Sequence, residues 1–223
     1  MQFSIVMPVL DEAAEIDASL AALAPMRAAG HEVIVIDGGS RDGTTAHCEG
    51  RVDLLMRAPR GRAVQMNAGA AHARGDVLLF LHADTRLPSD ACAAVERAIE
   101  AGASWGRFDV AISGRSKMFP VIAAMMNLRS RCTGIATGDQ AIFVSRQLFE
   151  GIGGYTELPL MEDIDLSRRL GNHAPPACLR QRVTTSGRRW ERRGIWPTIV
   201  LMWWLRWCYW RGEPAEALAR AYR

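Results

Sequence analysis

Paired cysteines, a strong charge of either sign, a membrane-length apolar run and internal repetition are all missing from this 223-residue chain. Its five cysteines, Cys48, Cys92, Cys132, Cys178 and Cys208, are scattered, odd in number and free of CxxC spacing. That excludes a disulfide scaffold or zinc ribbon and suits reduced thiols in a cytoplasmic protein. A net charge of +3 is too small to argue for nucleic acid. The start, Met1 to Val6, carries neither a basic stretch nor a cleavage site, so no secretory signal is expected. The GxGxxG fingerprint of dinucleotide-binding proteins is absent, as is any Pro- or Ser-rich linker. What remains is an ordinary globular composition, 49% hydrophobic and 23% charged, long enough for a sizeable core.

The pattern is organised around Val77 to Leu81, five apolar residues running into His82-Ala83-Asp84. A short, wholly apolar run bounded by turn formers reads as a strand buried on both faces, and ligands collect at the carboxyl ends of such strands. Phe3 to Val9 and Glu32 to Asp37 read the same way, with Val52 to Met56 as a third strand. Between them, Asp11 is placed to cap a helix through Ile16, Leu20 and Leu23, which Pro25 and Gly30 end. Arg60-Gly61-Arg62 opens a helix to Ala73, and Pro88 to Ala101 makes another. Strand and helix alternating in units of about thirty residues predict a parallel, Rossmann-like front half. After Gly102 the rhythm changes. Trp105 to Ile112 suggests a strand or hairpin, Phe119 to Leu128 a helix, Gln140 to Ser145 a strand, Met161 to Leu170 an acid-led helix and Ala177 to Thr184 a last strand. The expected class is α/β, a mixed sheet flanked by helices.

Four motifs stand in order at the ends of these elements: Val6-Met-Pro-Val-Leu-Asp-Glu12, Val35-Ile-Asp-Gly-Gly-Ser-Arg-Asp-Gly-Thr44, His82-Ala-Asp84 and Glu162-Asp163. In order and spacing the set resembles the family 2 glycosyltransferases, which implies a GT-A fold over residues 1–190 and a nucleotide diphosphate-sugar donor, a UDP-sugar being favoured. Small bacterial members of similar shape are associated with arsenosugar biosynthesis. A departing diphosphate needs its charge neutralised, which a Mn²⁺ or Mg²⁺ ion held by a carboxylate does. The resemblance makes Asp84 the metal ligand. Where the family has Asp-x-Asp, this chain has His82, which leaves open whether His82 contacts ribose or metal.

By the same resemblance Asp37 binds the base, Pro8, Leu10 and Glu12 line the nucleotide pocket, and Gly38, Arg60, Asn67 and Ala83 lie against the donor. Arg62 reads equally as a solvated basic residue. Asp163 resembles the general base of inverting members, with Glu162, Gly138 and Asp139 on the acceptor side; the simpler reading is that these acids favour a helix N-terminus. Ser186-Gly-Arg-Arg-Trp190 resembles the Gln-x-x-Arg-Trp signature of processive members with Ser for Gln. Arg189 would meet the diphosphate and Trp190 would stack on a sugar, with transfer of one sugar to a hydroxyl of a small-molecule or lipid acceptor. The rivals are a sugar nucleotidyltransferase, which would want a Gly-rich basic loop after the first strand, and a non-catalytic nucleotide-sugar-binding protein.

Residues 191–223 differ in kind. Ile195 to Trp210 holds Trp196, Trp203, Trp204, Trp207 and Trp210 between arginines. It is too short to span a bilayer and contains Arg206, but suits an amphipathic helix on a membrane surface, specifically the inner face, or one packed in a homodimer or against the domain.

Overall fold

The computed structural model describes residues 1–222. Among these, the strands β1 (Phe3–Val9), β2 (Glu32–Asp37), β3 (Leu54–Arg57), β4 (Val77–Phe80), β5 (Thr85–Arg86), β6 (Trp105–Ser113), β7 (Ile142–Ser145) and β8 (Ala177–Ser186) form one sheet. Its order is β3-β2-β1-β4-β7-β6-β8-β5. The first four neighbours are parallel; β7 then runs antiparallel between β4 and β6. The helices are α1 (Ala13–Ala28), α2 (Thr44–Cys48), α3 (Arg62–His72), α4 (Ala91–Glu100), α5 (Phe119–Thr133), α6 (Arg146–Gly151), α7 (Glu162–Gly171), α8 (Arg188–Arg193), α9 (Ile195–Trp210) and α10 (Ala215–Tyr222), with a 3₁₀ turn at Gly138–Gln140.

Every residue of β1 and β4 is buried, so both faces of the sheet are covered. Alternation assigns them: Phe3, Ile5 and Met7 face one apolar cluster with α1, whereas Val6, Leu78 and Phe80 face a second with α3 and α7. Pro8 is tolerated inside β1 because β4 pairs no further along it than Val6.

The route from β4 to β5 fixes the shape of the sheet. Four strand-to-strand steps separate them, about 19 Å on a flat sheet at roughly 4.8 Å each. The segment Leu81–Asp84 cannot reach that far, because five Cα steps span at most about 17 Å extended and this segment also turns, Thr85 N–H donating to the His82 carbonyl at 3.0 Å. The far edge therefore curls round, and His82-Ala83-Asp84 crosses the resulting crevice as a chord.

Several local expectations change. Helix α1 continues through Pro25 to Ala28; Pro25 falls in the last turn, where its missing N–H forfeits a single helical bond. Asp11 does not cap α1. Its carboxylate accepts from Arg41 N–H at 2.8 Å, and Asp42, from the neighbouring loop, takes the Ala13 N–H at 2.9 Å instead. The third strand starts two residues late, α3 begins at Arg62, and Trp105–Ser113 is one strand, not a hairpin. Beyond β8 the chain folds back over the body: Leu205, Cys208 and Leu218 pack on Leu160 and Met161 at the start of α7. The other side of α9 is bare, with Trp203 and Trp210 exposed by 67% and 80%. Among the described residues no helix is long and apolar enough to cross a membrane.

Candidate active site

Three loops meet at the carboxyl end of β1, β2 and β4. The first two are stitched together by backbone amides on hydroxyls: Asp11 N–H donates to Ser40 Oγ and Glu12 N–H to Thr44 Oγ1, both at 2.9 Å. Gln65, reaching up from α3, bridges the two strand ends by donating to the carbonyls of Val9 (2.9 Å) and Ile36 (2.8 Å). A side chain on Gly38 would press on that bridge, its Cβ lying 3.0 Å from Gln65. Asp37, 2% exposed, accepts from Ser40 N–H (2.9 Å) and Gly39 N–H (3.1 Å), with Arg57 Nε 3.4 Å away. Burial alone would raise its carboxyl, but these donors and the nearby charge outweigh it and hold the group below its ordinary value.

The chord is pinned at several points. Ala83 O accepts from Ser19 Oγ, Asp84 O from Ser186 N–H at 3.1 Å, and Thr85 Oγ1 donates across to Thr185 Oγ1 at 3.1 Å. Asp84 and Glu12 both line a cavity of about 330 Å³ whose other walls are the arginines Arg62, Arg188, Arg189, Arg192 and Arg193. Glu12 is raised by burial and then by the charge of Asp84, against Arg188 at 3.5 Å. Two carboxylates facing five guanidinium groups describe a place for a polyanion with a hard cation beside it. Among the described residues no three His, Cys, Asp or Glu converge on one point; Asp84 and Glu12 are the carboxylates that this wall offers. Oxygen donors of this kind fit Mn²⁺ or Mg²⁺.

A second cavity of about 110 Å³ adjoins, lined by Gly138, Asp139, Glu162, Asp163 and the inner face of α9, including Met202, Leu205 and Arg206. Asp163 is fixed by two backbone donors, Gly138 N–H to Oδ2 at 2.9 Å and its own neighbour Ile164 N–H to Oδ1 at 2.8 Å. Glu162, 5% exposed, faces Arg62 at 3.8 Å; burial and then Asp163 push its carboxyl up. His82 Nδ1 lies 3.5 Å from Asp139, and a Cβ on Gly138 would fall 2.4 Å from the His82 ring, so the ring rests on bare backbone. Burial would raise the Asp139 carboxyl, yet His82, Arg62 and Arg189 hold it low. A third space, about 120 Å³, joins the other two and has Pro8, Ala83, Ser186 and Trp190 on its walls.

The expected site residues thus separate. Pro8, Glu12, Ala83, Asp84 and Trp190 line the spaces on the Asp84 side, Gly138, Glu162 and Asp163 the cavity on the other, and His82, Asp139 and Arg189 line both the Asp163 cavity and the space that joins it. Asp37 and Gly38 sit at the β2 end, where the stitched loops meet. Leu10, Arg60 and Asn67 line none of these spaces; Asn67 is spent on the backbone of Tyr155, donating at 2.9 Å and accepting at 2.8 Å. Sequence reading missed Arg188, Arg206 and Tyr222, whose ring lies 4.1 Å under the Arg189 guanidinium. For Arg206 the helical spacing gave no signal: it stands three residues from Trp203 and four from Trp210, on the flank of the exposed stripe, and only the structure shows its side chain lining the cavity.

The model of the family described as Glycosyl transferase family 2 matches residues 4–149. Beta-monoglucosyldiacylglycerol synthase of Synechocystis sp. is 26% identical over 202 residues, covering 74% of this chain and 40% of its own. S. aureus TarS 1-349 in complex with UDP superposes with a TM-score of 0.65 at 17% identity, over 83% of this chain and 60% of that one. Mannosyltransferase PcManGT from Pyrobaculum calidifontis, in complex with GDP-Man and Mn²⁺, gives 0.60 at 22%, over 82% and 56%. The chain thus spans between two fifths and three fifths of the length of these proteins.

Proposed function

The chain belongs to glycosyl transferase family 2, with the GT-A fold, and from that premise we propose that it is an inverting, metal-dependent enzyme moving one sugar from a nucleotide diphosphate-sugar to a hydroxyl acceptor. One observation carries the reading. The cavity holding Asp84 and the cavity holding Asp163 share Arg62 and Arg189 as walls, with His82 and Asp139 between. A donor laid against Asp84 therefore presents its sugar toward a carboxylate on the far side, which is the layout of a single displacement.

Asp37 and the stitched loops would take the nucleoside, and Arg62, Arg188 and Arg189 the diphosphate. A divalent ion at Asp84 supplies Lewis-acid stabilisation of the leaving diphosphate. Asp163, its oxygens oriented by Gly138 and Ile164, accepts the proton of the acceptor hydroxyl as that oxygen attacks. Trp190 offers a face for the sugar. Relatives of similar fold bind UDP or GDP-Man, and a UDP-sugar is the donor tested first.

The outer face of α9 supports a site of action on the inner, cytoplasmic surface of a membrane, a compartment that suits five free cysteines. Trp196, Val200, Trp203, Trp207 and Trp210 line one stripe, flanked by Arg192, Arg193 and Arg211. Trp beside Arg is the composition of a membrane interface.

Thermal unfolding with a panel of nucleotide sugars, with and without Mn²⁺, tests the core of the reading, because a ligand bound to the native state raises its stability. Wild type should gain stability from a UDP- or GDP-sugar, and more with Mn²⁺. In D84A the Mn²⁺ increment should vanish while a metal-free response persists. An increment unchanged in D84A removes the metal assignment, and no response to any donor removes the function.

A further inference from the structure

Helix α5 carries two arginines on its second half, Arg129 and Arg131, and they are treated unequally. Arg131 reaches Asp109 at 2.7 Å, and Arg107, below it on β6, also ion-pairs with Asp109 while donating to Ser130 Oγ at 3.0 Å. Arg129 has no such relief: all three of its guanidinium nitrogens are buried and without a hydrogen-bond partner. Close by stands Arg206 on the inner face of α9, lining the acceptor cavity and making no ion pair among the described residues.

Both guanidinium groups feel the charges of Asp163 and Asp139. Neither acid comes within ion-pair distance of them. Burial, and then the charge of Arg206, pushes Arg129 down to about 10, which still leaves it protonated at neutral pH. The two cations repel each other, and the unpaired buried charge of Arg129 is costly. An anion bound in the cavity offsets both, and the guanidinium of Arg206, which lines that cavity, matches phosphate oxygens.

We propose that Arg206 and Arg129 form an anion subsite of the acceptor cavity, and that the acceptor is a hydroxyl compound carrying a phosphate group. The subsite rests on the glycosyl-transfer reading for the word acceptor, but not for the anion. Arg206 supplies the cavity-facing donors and Arg129 the charge behind it. The site is distinct from the diphosphate cradle: Arg206 lines the Asp163 cavity and not the Asp84 cavity, Arg188, Arg192 and Arg193 line only the latter, and Arg62 and Arg189 line both. Phosphate held there would leave the hydroxyl of the same molecule to Asp163.

The test titrates inorganic phosphate into the full chain saturated with UDP and Mg²⁺, so that the diphosphate cradle is already filled, and follows thermal unfolding. Wild type should be stabilised by phosphate beyond the UDP effect. In R206Q the phosphate concentration giving half the effect should rise about tenfold to a hundredfold, the weight of a charge-assisted hydrogen bond, and in R129M by a smaller factor, because Arg129 contributes charge and no hydrogen bond, with the UDP response unchanged in both. R129M should unfold no lower than wild type without phosphate, because it removes an uncompensated buried charge. R206Q carries the test alone if R129M does not fold.

A wild type that answers UDP but ignores phosphate overturns the subsite and leaves the donor reading standing. Equal phosphate responses in wild type and both variants also overturn it. A phosphate response lost in the variants, in a protein that never answers UDP, keeps the subsite and removes the donor reading. Glycerol 3-phosphate and vesicles of phosphatidic acid in phosphatidylcholine separate the sources. A response to the first that R206Q loses marks a soluble phosphate; one confined to the vesicles and lost in R206Q marks a lipid phosphate.

Discussion

Replacing Asp163 with Asn tests the base assignment more sharply than any truncation, because the structure predicts two separate losses. Asp163 accepts one backbone N–H on each oxygen, from Gly138 at 2.9 Å and Ile164 at 2.8 Å. Asn has a single oxygen, so one of those N–H groups must face an NH₂. An unsatisfied donor of this kind costs about 1–3 kcal/mol, which in a domain of this size lowers the melting temperature by roughly 2–12 °C. The folded fraction at 25 °C should stay close to complete. Catalysis should fall much further, by about 10²–10⁴ in kcat, the usual share of a general base. Release of UDP from a saturating donor, with water standing in for the acceptor, reads this directly. Nucleotide affinity should not move, since the donor contacts lie across the chord. Asp165→Asn is the control: Asp165 accepts from Thr156 Oγ1 at 2.7 Å and Arg169 Nε at 2.8 Å and lines no cavity described above. It should cost about 0.5 kcal/mol and leave kcat within about twofold. If D163N turns over like wild type, or D165N proves the damaging change, the base is elsewhere. A product that keeps the donor's anomeric configuration would refute the single displacement itself.

Other consequences follow from the same geometry. Asp37 is held below its ordinary pKa, so it contributes stability that is present above about pH 4 and lost as pH falls through the lowered value; the acid limb of a melting-temperature profile should be shallower in D37N, and an identical limb would show Asp37 uncoupled. Gly138→Ala places a Cβ 2.4 Å from the His82 ring and should cost about 1–3 kcal/mol, most of it recovered in the G138A/H82A double variant. Without that recovery, checked by denaturant titration, the ring is not what Gly138 accommodates. Exchanging Trp203 and Trp207 for Ser should cut sedimentation with anionic liposomes at least tenfold while leaving melting temperature and molecular mass alone. A fall in mass would instead mark the stripe as a subunit seam.

Much of this arrangement could be read from the chain. Val77 to Leu81 and Glu32 to Asp37 announce buried parallel strands because burial on both faces abolishes alternation, and acids at their ends announce the site edge. Other features had no local signature. Strand β5 is two residues long, has no period to detect, and pairs with Thr184 and Thr185, a hundred residues away. Pro25 reads as a stop because its lost hydrogen bond is visible in sequence and its place in the final turn is not. Asp11 looks like a cap, but Asp42 takes the Ala13 N–H through a contact between loops. Arg206 reads as a blemish in an apolar helix, on the flank of the Trp stripe, and only the folded chain shows its side chain reaching the cavity. Arg129 gives no warning at all, since being unpaired is a property of three-dimensional neighbours.

The chord that crosses the crevice is fixed in length. Its ends belong to β4, in the interior of a curled sheet, and to β5 at its far edge, and Ser19, Ser186 and Thr185 fasten it between them. Its length is the constraint, while a single side chain such as His82 can change within it. A residue inserted between Leu81 and Thr85 is another matter: it would add about 3.3 Å of slack, more than a carboxylate can drift and still ligate an ion. Descendants of this sequence can therefore retune the site by exchanging letters within the segment but not by lengthening it. New specificities by lengthening have to enter elsewhere in the chain, away from the chord.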